Sequence, residues 1–299
     1  MTQRIGILDS TSAATLGDQY AAFQRGLKEV GYVDGDNVTI EFKFAENDYE
    51  RLDGLAARFV GDDDVAVIVA AGGPVSAVAA ATATGDKAIV FTSVTDAVAG
   101  RLRKGKNLTG VAGKTSELDL ARLKLLCRLL PGAREIGVLV NKNRPTRREE
   151  LKNLVAAVHK LDLKRKVRLV SREAGTPREI DTVLQNLGDV DGLVFAADPF
   201  FNSRRAQLVE LTKHLKLPAI YQWREFAAAG GLMSYGPSIQ RAYHQAGIYA
   251  GLILKGMKPA QLPVVEASRF ELVINLKTAN ALDIGIPPTL LEEADELIE

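Results

Sequence analysis

One unit recurs along this chain: a short apolar strand followed by an amphipathic helix, laid down in two successive runs. Strands are read at 4–9, 37–46, 65–71 and 88–95, and again at 134–141, 167–172, 192–198 and 219–223. Such alternation leaves few folds open, because parallel strands need crossovers and the crossover helices cover the sheet faces. The uniformly apolar run Val65–Ala71 fits a strand covered on both faces. The expected class is α/β, with two doubly wound parallel-sheet lobes, a hinge and a central cleft. At 299 residues and 46% hydrophobic content, the chain can fill two cores.

The first unit shows the pattern in detail. Arg4–Asp9 is a strand and Ser10–Ala14 a small polar loop; Leu16, Tyr20, Phe23, Leu27 and Val30 then mark one stripe of a helix. Gly31 is the stop signal. Asp34–Asn37 turns into a strand with alternating Val38, Ile40, Phe42 and Phe44. The pattern loosens over 105–113, where Asn107–Val111 reads as a short strand crossing between lobes. Further crossings are expected near Gly230–Pro237 and Leu262–Pro263. The resulting division is 1–112 plus 236–262 for one lobe, 113–235 for the other, and 263–299 as a tail packed on one of them.

Several function classes lose support at this stage. A net charge of +1 offers no electrostatic case for nucleic acid or an anionic membrane. Lys142 and Arg144–Arg148, interrupted by Pro145 and followed by Glu149 and Glu150, read as a solvated helix start. The single cysteine, Cys127, falls in the helical run Leu118–Leu130 beside Leu120, Leu123 and Leu130, as a buried thiol would. His159, His214 and His244 lie on predicted helices away from strand ends, so neither a catalytic triad nor a histidine metal site is indicated. No G-x-G-x-x-G follows a strand, and no cofactor is expected. No run reaches the length of a membrane span. With the fold starting at Arg4, the expectation is either a cytosolic protein or a mature form whose export segment has been removed.

Candidate binding residues sit at the carboxyl ends of strands, where open parallel sheets hold ligands. Gly73 and Pro74 mark a strand end that becomes a helix start, with free amides suited to an anion or simply to a tight turn. Thr92, Ser93 and Asp96 supply hydroxyls and a carboxylate, the latter for an ammonium or for capping the next helix. Asp9, Ser10, Asn141 and Asp198 occupy matching ends elsewhere. Gln222-Trp223-Arg224-Glu225 follows the last strand of the second lobe, with Trp223 either a stacking platform or core. Tyr235 lies at an expected crossing, where a side chain reaches both lobes.

Arg4–Leu8, Gly31–Glu41, Val67–Pro74, Asn107–Val111, Ile253–Gly256 with Pro259 and Leu262-Pro263, and Phe270–Ala279 appear in an order that resembles a known family. It is the ABC-transporter substrate-binding proteins of the tryptophan/tyrosine type, and the likeness runs over essentially the whole chain. The resemblance implies a type I periplasmic binding fold, venus-flytrap closure and delivery of a small solute to a membrane permease. It also implies a periplasmic or other extracytoplasmic location, and an amino acid or related carboxylate as ligand, with an aromatic side chain suggested by the family. Its contacts map onto Asp9, Ser10, Gly73, Pro74, Ser93, Asp96, Asn141, Asp198, Glu225 and Tyr235. A non-catalytic binding protein is therefore the leading reading. The alternatives are a two-domain α/β enzyme with its active site in the same cleft, and a cytosolic ligand sensor.

Overall fold

A computed structural model describes residues 3–15, 17–95, 98–100, 106–113, 115–158, 166–267 and 269–299. The strands in chain order are β1 Gln3–Asp9, β2 Val38–Phe44, β3 Val65–Ala71, β4 Ala88–Thr95, β5 Leu108–Gly113, β6 Glu135–Asn141 and β7 Arg168–Ala174. They continue with β8 Gly192–Phe195, β9 Ala219–Tyr221, β10 Met233–Pro237, β11 Val265–Glu266, β12 Phe270–Asn275 and β13 Glu296–Ile298. Helices follow most of them, as the apolar spacing predicts. Gly31, at φ +88°, ends the turn after helix Gly17–Glu29 in the left-handed region that glycine tolerates best.

The strands form two sheets, ordered β11-β5-β4-β3-β1-β2 and β13-β12-β10-β9-β8-β6-β7. The doubling seen in sequence is thus a doubling of topology: β2-β1-β3-β4-β5 in one sheet matches β7-β6-β8-β9-β10 in the other. All of these pairings are parallel. β12 breaks the rule by running antiparallel to β10. Each sheet is covered on both faces. Ile5, Ile7, Val67 and Val69 enter one apolar cluster, while Leu8, Ile68 and Ala70 enter a second. In the other sheet Ile136, Val138 and Val140 face one cluster and Leu139, Leu193 and Phe195 the opposite one.

The chain divides into two compact units, Met1–Lys114 with Ile239–Ser268, and Thr115–Ser238 with Arg269–Glu299. Asn107–Val111 does not cross between them; β5 is a regular strand of the first sheet, beside β4. The segment 263–299 is shared rather than attached as one piece. β11 pairs with the edge strand β5, whereas β12, helices Leu276–Ala281 and Pro288–Glu293 and β13 build onto the second sheet. The dividing force is backbone pairing: a two-residue strand completes one edge before the chain leaves for the other.

Helix Ile239–Leu254 returns to the first unit and lies against helix Gly17–Glu29 at backbone contact. A Cβ on Gly26 would stand 2.0 Å from the His244 carbonyl oxygen, and one on Gly247 would stand 2.1 Å from that of Phe23. In an exposed helix, glycine to alanine gains about 1 kcal/mol. Here the added methyl has only backbone to displace, so Gly247→Ala should instead lower the unfolding free energy by about 2 kcal/mol. Urea denaturation checks the sign, and a stabilised variant would refute the close crossing.

Candidate functional site

The sheet order reverses between β1 and β3, and again between β6 and β8. At such a switch point the two chain segments depart toward opposite faces and leave a crevice at the strand ends. In each unit the crevice is lined by buried polar side chains.

In the first unit, Asp9 and Ser10 end β1 at 1% and 0% exposure. The Ser10 hydroxyl donates to the Gly72 carbonyl at 2.6 Å, tying the β1 end to the β3 end. Asp9 Oδ1 accepts from the Thr11 amide and hydroxyl, each at 2.7 Å. Burial raises the Asp9 carboxyl above the usual range, against the opposing effect of the Thr11 bonds. Burial, and then the Asp9 charge, hold the neighbouring Tyr243 phenol well above its own. Gly72 and Gly73 take φ +73° and +90° before Pro74 opens helix Pro74–Ala83. A Cβ on Gly72 would lie 2.4 Å from the Ser10 hydroxyl, so only glycine admits this contact. β4 carries a bulge between Phe91 and Val94, which sets Thr92 and Ser93 together opposite one residue of β5. Thr92 is buried and Ser93 half-buried.

In the second unit, Asn141 and Asp198 meet across the switch point. The Asn141 amide donates to Asp198 Oδ1 at 2.8 Å, and that oxygen also accepts from the Phe200 amide at 3.0 Å, capping helix Pro199–Ser203. Arg144 sits 3.7 Å from Asp198 Oδ2, donates to Glu150 at 2.8 Å and to the Ala197 carbonyl, and is only 12% exposed. Nearby, Arg122 is 1% exposed; it bonds Asp119 and donates from Nε to the Tyr235 carbonyl at 2.8 Å. Burial pushes the Asp119 carboxyl up and the Arg122 guanidinium down, while each opposes the other's shift.

Tyr235 lies inside β10, half-buried, its ring 6.1 Å from that of Phe270; it is not at a crossing, because the chain leaves the unit only after Ser238. Glu225 is half-buried in the first turn of helix Arg224–Ala228. Trp223 packs on the second unit's apolar cluster. Asp96 and His159 fall outside the described residues. His244 pairs with Glu29 at 2.8 Å, and His214 ends its helix. Burial pushes the Cys127 thiol up to about 11, which leaves it unreactive. Among the described residues no cluster of His, Cys, Asp and Glu suits a metal ion. The chain's Gly113-Lys114-Thr115 is no phosphate loop, since Leu108 stands where its first glycine is required.

Arg144 corrects the reading of its segment as a solvated helix start, because its guanidinium turns inward to Asp198. Arg122 gave a usable signal: it stands four residues from both Leu118 and Leu126, on the most buried face of helix Thr115–Leu129. Tyr243 gave none, since its helix face reads as ordinary core.

Two outcomes follow from these buried charges. The folded protein holds the Asp9 proton more tightly than the unfolded chain, so stability falls as pH rises from the ordinary aspartate value through the raised folded one. Asp9→Asn removes that loss while keeping an acceptor for Thr11. It should raise the unfolding temperature relative to the parent at neutral pH and lose the advantage in acid; calorimetry at both ends checks it. Arg122→Met strands Asp119 and should cost about 3–5 kcal/mol, most of it recovered when Asp119→Asn is added. A double variant as unstable as the single one would contradict the pairing.

The comparisons with known proteins agree with this architecture. The family model described as ABC transporter substrate binding protein matches residues 4–298. A tyrosine-binding protein of Clostridioides difficile (strain R20291) is 30% identical over 286 residues, covering 94% of this chain and 81% of that one. An ABC domain in complex with L-Trp from Streptococcus pneumonia superposes with a TM-score of 0.85 at 26% identity, covering 100% of both chains. A conserved domain protein from Vibrio cholerae gives the same TM-score, 0.85, at 26% identity, over 99% of this chain and 100% of that one. The two parallel-dominated sheets are the type I periplasmic-binding fold, and proteins of this family bind substrates rather than convert them. With nearly its whole length matched, the chain belongs to the ABC transporter substrate-binding proteins.

Proposed function

We propose that this protein is the solute-binding component of an ABC importer and captures an aromatic amino acid, tryptophan or tyrosine, by closure of its two lobes. The observation that carries the ligand class is the whole-length likeness to a protein named for tyrosine binding and to a structure holding L-Trp. The polar strand ends support it. Asp9, Ser10, Gly73, Pro74, Thr92 and Ser93 are offered by one lobe, and Asn141, Asp198, Glu225 and Tyr235 by the other.

In this reading the ligand carboxylate takes the amides after Gly72 or the hydroxyls of Thr92 and Ser93, where a helix N-terminus adds positive potential. Its ammonium takes a carboxylate among Asp96, Asp198 and Glu225. Asp198 is held by Asn141 and the Phe200 amide, so its charge is presented at a fixed place. Capture and release need no nucleophile or cofactor. The closed form is what a membrane permease would recognise, and an importer's binding component works outside the cytoplasm. No helix among the described residues is long and apolar enough to cross a membrane.

The test is a thermal-shift series with L-tryptophan, L-tyrosine, L-leucine and a sugar. A ligand at about 100 times its Kd adds about 2.7 kcal/mol to stability, a shift of several degrees. Tryptophan or tyrosine should give the largest shift, and mass spectrometry should recover it unaltered. A sugar as the strongest ligand, or a converted amino acid, would overturn the proposal.

A further inference from the structure

We infer that the Gln222 carboxamide reads the head group of the ligand and sets its specificity for an intact α-amino acid. This rests on the aromatic-amino-acid reading above and adds to it a residue outside the contacts named so far. Gln222 is the first residue after β9, on the carboxyl edge of the second sheet, with β8, which leads to Asp198, on one side and β10, which holds Tyr235, on the other. It is 1% exposed, and neither Oε1 nor Nε2 has a hydrogen-bond partner among the described residues. A buried carboxamide without partners weakens a fold, because both its ends lose water and gain nothing. Stability therefore does not account for glutamine at this position.

The backbone around it is tightly set. A Cβ on Gly236 would lie 2.0 Å from the Gln222 carbonyl oxygen, so only glycine lets β10 run this close. The Tyr235 carbonyl next to it is fixed by Arg122. A side chain rooted on such a scaffold keeps its polar atoms in place for a ligand. Asp198 Oδ1 accepts from Asn141 and the Phe200 amide, and Arg122 bonds Asp119 and the Tyr235 carbonyl, so these charges are held in place and Gln222 adds a neutral donor and acceptor beside them. Gln222 is the buried side chain here with both a donor and an acceptor still to be met, beside single unpartnered hydroxyls such as that of Ser234. A carboxamide donates at one end and accepts at the other. That pairing complements a zwitterionic head group, with Nε2 on the α-carboxylate and Oε1 on the α-ammonium. An amine alone or an acid alone would satisfy one end and leave the other buried and unmet.

Gln222→Met keeps the shape and removes both polar atoms. Calorimetric titration with L-tryptophan, L-tyrosine, tryptamine and 3-indolepropionate gives the binding, and thermal unfolding without ligand gives the stability. The expected result is amino-acid binding weakened at least tenfold, a diminished preference over tryptamine and indolepropionate, and an unliganded unfolding temperature equal to or above the parent's. Gln222→Glu, which loses the donor end, should also weaken amino-acid binding. An unchanged Kd in both variants would overturn the inference while leaving the ligand class intact. A lower unfolding temperature without ligand would overturn it too, by showing a structural role. If the parent binds neither amino acid, the ligand class itself fails and this contact falls with it.

Discussion

The reversal of strand order at one point in each sheet is the constraint on which the rest of this protein depends. Because β1 and β3 send their following segments to opposite faces, the backbone polar groups at their ends cannot pair with each other directly. Side chains make the connection instead, Ser10 to the Gly72 carbonyl in one unit and Asn141 to Asp198 in the other. These bonds hold polar groups in a crevice that apolar residues would otherwise have to fill. The same topology, laid down twice, makes two such crevices from one folding rule.

Holding charge in these crevices works against the fold. Asp9 and Asp119 carry carboxyls that burial pushes upward, and Arg122 sits at 1% exposure with its guanidinium shared between a carboxylate and a carbonyl. Pairs of this kind are weak contributors to stability compared with apolar residues of similar volume. Asp9 stands at the carboxyl edge of the first sheet, and Arg122 reaches from its helix to the Tyr235 carbonyl of β10, so these charges are tied to strands that carry site residues. The stabilising work is done elsewhere, by Ile, Val, Leu and Phe on both faces of each sheet and by the backbone contact between helices Gly17–Glu29 and Ile239–Leu254. Surface pairs such as Arg128–Glu293 and Arg224–Glu296, well exposed, add little.

Glycine takes part in the site as much as any polar residue. Gly72 admits the Ser10 hydroxyl, Gly110 lets β5 approach Phe91 beside the β4 bulge, and Gly236 brings β10 against Gln222. In each case the missing Cβ sets the distance between a strand end and its neighbour, and so the position of the polar atom presented there.

The strands of the two runs were legible in the sequence to within two or three residues, because an apolar run and its helix stripe are local patterns with periods of their own; β10, read as a crossing, and the short strands β11 and β13 were not. So were the polar strand ends, since the residue after a buried strand must leave the sheet, and Asp9, Ser10, Asn141 and Asp198 stand there. Arg122 was half legible, as a charge on an apolar stripe. What no local pattern carries is pairing between distant segments. That Arg144 turns inward, that Tyr243 faces Asp9, that Val265–Glu266 joins one sheet while β12 and β13 join the other, and that Gln222 is left without partners among the described residues all depend on which surfaces meet. The sequence by itself determined the elements and their doubled order, through short-range sterics and hydrophobic periodicity. Only the tertiary structure decided which buried polar groups satisfy one another and which do not, because a hydrogen bond needs two atoms brought together from far apart in the chain.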